Sequence, residues 1–175
     1  MSPVVKSQTT SALGEAASTL QIHVLLSLVG ILTGFVVLYG LVTGVSSSGW
    51  TAIFLPTTIL TSVTGFPLPP FGFDPPRAVG VISLVLLALA VAALYAFRLA
   101  GAWRWIYVGA AVAALYLNVF VAVAQAFQKL PLLHALAPTQ SEPPFLVSQI
   151  VVLAAFVALG VVAAMRFHPA IEARI

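Results

Sequence analysis

Apolar residues fall in five long blocks along this chain, at about 20–45, 50–66, 78–97, 105–127 and 145–167, with short polar or proline-rich connections between them. About 20 apolar residues, coiled as a helix, cross the ~30 Å hydrocarbon core of a bilayer. A helix also satisfies its own backbone hydrogen bonds where no water can. The pattern therefore predicts an all-α integral membrane bundle of five transmembrane helices. It divides the chain into a polar N-terminal segment (1–19), one transmembrane helical domain (20–167) and a short C-terminal tail (168–175). Segment 1–19 does not read as a signal peptide, because the apolar run behind it is longer than the ~7–15 residues of a signal core.

The second block is the weakest. It has Pro56 inside it and carries Thr51, Thr57, Thr58, Thr61, Ser62 and Thr64. Hydroxyls can return hydrogen bonds to a membrane helix, and neighbours can repair the gap that a proline leaves. Seventeen residues is nevertheless the lower edge for a crossing. The alternative is four spans plus a re-entrant hairpin at 50–66.

The connections carry their own signals. Ser46–Gly49 is a tight polar turn. Pro67–Arg77 holds five prolines, which exclude regular helix, and Phe71 and Phe73 place it at the lipid–water boundary. Arg98 and Arg104, beside Trp103, Trp105 and Tyr107, form an interfacial belt. Leu130–Ala137 is expected as a short amphipathic helix on the membrane surface. Gly30/Gly34 and Gly40/Gly44 are read as close packing within the monomer, and Ala154/Ala158 and Gly160/Ala164 as further small-residue contacts. No internal repeat supports an inverted-repeat transporter.

Composition confirms the class. Hydrophobic residues make up 61% of the 175, charged residues 6%, and the mean hydropathy is +1.13. A soluble domain carries about 25% charged residues. The net charge of +3 comes from seven Lys and Arg against four acids, too few for a nucleic-acid partner; the partner is the lipid bilayer. With no cysteine, disulfides, thiolate metal sites, Fe–S clusters and cysteine nucleophiles are excluded.

The basic residues speak to orientation. Five spans put Lys6, Arg77 and Lys129 on one side and Arg98, Arg104, Arg166 and Arg174 on the other. Lys6 is far from its span, so the positive-inside rule predicts an outside N-terminus and a cytoplasmic C-terminus. The re-entrant alternative moves Lys6 to the side of the four arginines. Both keep the 98–104 loop cytoplasmic.

Five spans also gather polar side chains in the outer half. Span 1 would begin there with His23 and Ser27. Span 2 would end there with Thr61, Ser62 and Thr64, and span 4 with Asn118, Gln125 and Gln128. Span 5 would start there with Ser148 and Gln149, under loops that add Asp74, Arg77, His134, Thr139, Gln140 and Glu142. Asn118, Gln125 and Lys129 lie seven and eleven residues apart, on nearly one helix face. Amides and imidazoles in hydrocarbon need partners or a wet cavity. The candidate ligand-binding set is His23, Ser27, Thr61, Thr64, Asn118, Gln125, His134 and Gln149. Each has a plainer reading: Asn118 and Gln125 as interhelical glue, His23 bonding a carbonyl, His134 at the surface, Arg98 and Arg104 as anchors, and Asp74 pairing with Arg77.

Three functional readings follow. The first is binding of a small amphipathic ligand such as a quinone or lipid. The second is service as a structural or accessory subunit beside a membrane-protein partner. The third is a small-solute transporter or membrane enzyme, although no catalytic spacing supports an enzyme. Haem ligated by His23 and His134 is a minor option, since no paired-helix histidine pattern exists, and no metal set is evident. The runs GWTAIFLPTTILTSVTGF, YAFRLAGAWRWIYV and QAFQKLPLLHALAPTQSEPPF resemble uncharacterised small bacterial multi-span inner-membrane proteins. That resemblance implies a bacterial inner-membrane setting, and it transfers no activity and no functional residue.

Overall fold

A computed structural model describes residues 3–45, 47–68 and 75–168. Six helices account for most of them: α1 Pro3–Thr43, α2 Ser48–Gly65, α3 Pro75–Val91 continuing into a π-helical turn Ala92–Ala96, α4 Trp103–Lys129, α5 Pro131–Leu136 and α6 Pro143–Arg166. Four stretches are long and apolar enough to cross a membrane: Ala17–Thr43, Pro75–Ala96, Trp103–Lys129 and Pro143–Arg166. The protein is thus an all-helical membrane bundle, as the apolar blocks predict.

α2 is the helix that composition alone does not place among those four. It is one continuous helix of 18 residues, which corrects the re-entrant hairpin: Pro56 is accommodated without a reversal. The hydroxyls of α2 fold back onto its own backbone. Thr57 donates to the Ile53 carbonyl (2.7 Å), Thr61 to Thr57 (2.9 Å) and Thr64 to Leu60 (2.7 Å). At ~1.5 Å per residue α2 is about 27 Å long, and it lies alongside the apolar part of α1 throughout. Gly65 of α2 meets the His23 ring, Thr57 and Thr58 meet Gly30, Phe54 meets Gly34, and Ser47, just before α2, meets Gly40.

Similar contacts fix the direction of the others. α4 runs antiparallel to α1, with Leu115 at Gly34 and Asn118 at Gly30. α3 runs antiparallel to α2, with Ser83 bonded to Ser62 and Gly80 near Phe66. α6 runs parallel to α1: Phe156 packs on Phe35, and the Arg166 carbonyl reaches Gly44. Going round the bundle, the neighbours are α1, α2, α3, α4 and α6, which closes on α1, while α1 and α4 also touch across the middle. Five helices therefore alternate in direction through one thickness. The first end of the bundle holds His23, Gly65, Arg77, Lys129 and the start of α6; the second holds Gly44, Ser48, the 97–102 turn and Arg166. The polar segment 3–19 is helical and continues into the first span without a break.

Packing is closest where glycines allow it. A Cβ on Gly34 would lie 2.5 Å from Leu115 and 2.9 Å from the Phe54 ring, so the missing side chain lets these three helices meet closely. Phe54, Leu115, Val108 and Leu87 are essentially fully buried in the core that these helices share. Gly30/Gly34 thus serve packing inside the monomer. Gly44 has a different task. Its φ of +77° ends α1, with the Val45 N–H returning 2.8 Å to the Gly40 carbonyl, the αL stop that glycine adopts without steric cost. Ala154 and Ala158 face outward from α6 rather than into a helix contact, whereas Gly160 packs on Val112 as expected.

The ends are tied down by side chains. Arg77 donates to the Phe66 (3.2 Å) and Leu68 (2.7 Å) carbonyls, which lie just beyond α2. Its expected partner Asp74 lies outside the described residues, as do Phe71, Phe73, Ser46 and the tail from 169. At the second end Trp103 stacks on Phe97 at 3.6 Å, and the Arg104 guanidinium sits 4.4 Å from the Trp105 ring centre. Between them Arg98 and Leu99 both have positive φ (46° and 57°). The expected surface helix at 130–137 appears as α5, presenting exposed Leu132 and Leu136.

Candidate functional site

The sequence-predicted polar residues lie towards the first end of the bundle, where they enter separate local arrangements. Gly30 and Asn118 stand at one level. Seven residues further towards the first end, α1 reaches His23 and α4 reaches Gln125. Three separate contacts result. His23 Nδ1 lies 3.1 Å from Thr64 Oγ1, joining α1 to α2. Gln149 Nε2 donates to the Phe120 carbonyl at 3.2 Å, joining α6 to α4. Near the middle, Thr58 Oγ1 and Asn118 Nδ2 both border Gly30. Both atoms are buried, and neither has a hydrogen-bond partner among the described residues.

The other members are occupied locally or apart. Ser27 donates back to the His23 carbonyl (2.8 Å), and Thr61 to its own helix. Gln125 is half-buried and makes no hydrogen bond among the described residues. His134 is exposed on α5, so His23 and His134 belong to different surroundings. No group of three His, Asp or Glu side chains is placed to hold a metal among the described residues.

The loop over this end is held by Glu142. Its carboxylate accepts from the Thr139 N–H (3.1 Å), the Thr139 hydroxyl (2.9 Å) and the Ser141 N–H (3.1 Å), and the Thr139 and Ser141 hydroxyls bond to each other. Desolvation pushes this carboxyl up, but the hydrogen bonds from Thr139, Ser141 and its own backbone outweigh that and hold it below the ordinary glutamate value. Gln140, at φ 59°, reaches under the loop to the Ala124 carbonyl at 2.6 Å and accepts from Gln128 at 3.2 Å. The loop is therefore fastened to α4.

The second end holds a feature that the sequence does not announce. A half-enclosed cavity of about 170 Å³ lies among α1, α2, the π-helical turn, α4 and the end of α6. Its lining combines apolar residues (Val37, Leu41, Leu94, Phe167) with the hydroxyl-bearing residues Ser47, Ser48, Thr51, Tyr95 and Tyr107. Thr51 Oγ1 and Tyr107 Oη are 3.4 Å apart, both residues are buried, and Phe167 packs on the Tyr107 ring. No charged side chain lines it. In sequence Tyr107 looks like an interfacial aromatic, and Thr51 like a backbone-bonding hydroxyl. The available signal is spacing: Thr51 and Thr58 lie seven apart on one face of α2.

Comparison with protein-family models, curated proteins and solved structures yields no match to this chain.

Proposed function

We propose that this protein binds a small amphipathic molecule of the quinone or lipid class within a bacterial inner membrane, at the cavity beside Thr51 and Tyr107. The observation that carries this reading is the paired hydroxyls inside an apolar, half-enclosed space. Most ligand sites combine apolar walls with a few placed polar groups. Hydroxyls donate to ketone, ester or ether oxygens, whereas a phosphate would call for the arginines that this cavity lacks. A volume of about 170 Å³ takes a ring or a headgroup fragment, with any tail left in lipid.

Orientation is part of the same proposal. Arg98, Arg104 and Arg166 belong to the cavity end, against Arg77 and Lys129 at the other. The positive-inside rule then favours a cytoplasmic cavity end and an outside N-terminus. The polar contacts at the His23 end serve here as interhelical fastenings.

The test is mass spectrometry of organic extracts from gently purified protein. A quinone or neutral lipid is expected at near-stoichiometric amount. Replacing Tyr107→Phe removes one hydrogen bond, about 0.5–1.5 kcal/mol, and should lower retention roughly 2- to 10-fold. Equal retention in wild type and in the Thr51→Val/Tyr107→Phe double variant would refute the site.

A further inference from the structure

α2 is the one of the five alternating helices that falls short of membrane-spanning hydropathy, yet it buries most of its hydroxyls inside the bundle. Thr51, Thr58, Thr61 and Ser62 are all buried, and they follow one another along the helix from the second end to the first. Thr64, one turn beyond, meets His23. Their order has a single break. Between Thr51 and Thr58 stand Phe54 and Leu55, exposed by only 1% and 2%, and Phe54 closes with Leu115 on Gly34.

The row is not simply satisfied by its own helix. Thr61 and Ser62 donate back to α2 carbonyls, and Ser62 also bonds Ser83 of α3. Thr58 Oγ1, wholly buried, has no hydrogen-bond partner among the described residues, and neither does Asn118 Nδ2 across Gly30. Buried side-chain polar atoms without a partner are uncommon in folded proteins, and a bound water or ligand is one explanation for them. No Asp, Glu, Lys or Arg occurs from 16 to 73, from 78 to 97 or from 105 to 128. An ion entering here would meet no counter-charge, whereas an uncharged hydrogen-bonding solute would meet a donor or acceptor at nearly every turn.

We infer that α2 carries a route across the membrane for small uncharged hydrogen-bonding solutes, closed in this structure where Phe54 and Leu115 meet on Gly34. The half towards the first end is lined by Thr64, Thr61, Thr58 and Asn118. The half towards the second end opens into the cavity at Thr51 and Tyr107. This route goes beyond ligand binding in that cavity, and it stands even if no quinone or lipid is retained there.

The experiment is stopped-flow light scattering of proteoliposomes with urea and glycerol as the permeating probes. Phe54→Ala removes the seal, and folding is checked by helicity and by size-exclusion profile. Leu115→Ala opens the same contact from α4 and serves if Phe54→Ala does not fold. Either open variant is expected to raise solute permeability about tenfold over protein-free vesicles, the change that ~1.4 kcal/mol of barrier produces. Adding Thr58→Val with Asn118→Leu should abolish most of that gain, because the route would lose its hydrogen-bonding lining. Folded open variants as tight as protein-free vesicles would overturn the inference. So would a leak that the Thr58→Val/Asn118→Leu change leaves untouched, since that leak would come from a packing void.

Discussion

Gly34 is the residue on which the interior packing turns. Its missing side chain lets α1, α2 and α4 meet, and a methyl there would stand 2.5 Å from Leu115 and 2.9 Å from Phe54. Overpacking of this kind costs about 1–3 kcal/mol. Gly34→Ala should therefore lower the thermal midpoint in detergent. Gly109, where a Cβ would meet nothing within 4 Å, offers the contrast. Gly109→Ala should be neutral or stabilising by roughly 0.5–1 kcal/mol through helix propensity. A midpoint unchanged by Gly34→Ala would show that Phe54 and Leu115 yield freely. Arg77 makes a second residue-scale case. Its guanidinium bonds two carbonyls beyond the end of α2, and hydrogen bonds to charged groups contribute about 1.5–3 kcal/mol. Arg77→Leu should destabilise by an amount of that order and raise hydrogen exchange near Phe66 and Leu68.

At the scale of elements, the 138–142 turn between α5 and α6 depends on an ionised Glu142. Because its folded pKa is depressed, the stabilisation is complete above the ordinary glutamate value. It disappears as pH falls through that value and the lowered one. Amide exchange at Thr139 and Ser141, corrected for intrinsic rates, should thus speed up on acidification. In Glu142→Gln it should be fast at all pH values, and a flat profile in the wild type would remove this role. Elements are also the most legible part of the sequence. Long apolar blocks bounded by Pro, Gly and aromatic belts mark the spans to within a few residues, because a bilayer leaves a helix few other choices. α2 is the ambiguous one, since its hydroxyls and Pro56 lower its hydropathy while its packing along α1 and α3 holds it as one helix. The candidate site is less legible. Reading along single helices shows that His23, Asn118 and Gln149 lie in one half, but not that His23 turns to α2 and Gln149 to the Phe120 carbonyl. The cavity depends on Thr51 meeting Tyr107 across 56 positions, a contact that no local pattern encodes.

At the level of the bundle, five helices alternate in direction, so that His23 and the Glu142 loop lie at one end and the Tyr107 cavity at the other. Whether all five cross the bilayer turns on α2. If α2 crosses, the start of α1 and the 97–102 turn lie on opposite sides; if it does not, they share a side. The natural absence of cysteine makes the decisive measurement clean: labelling of single-cysteine variants Gly14→Cys, Gly101→Cys and Gln140→Cys with a membrane-impermeant maleimide in sealed vesicles. Gly14→Cys and Gln140→Cys should react from the same side and Gly101→Cys only from the other. Reaction of Gly14→Cys and Gly101→Cys from one side would contradict the five-pass arrangement, and with it the route along α2.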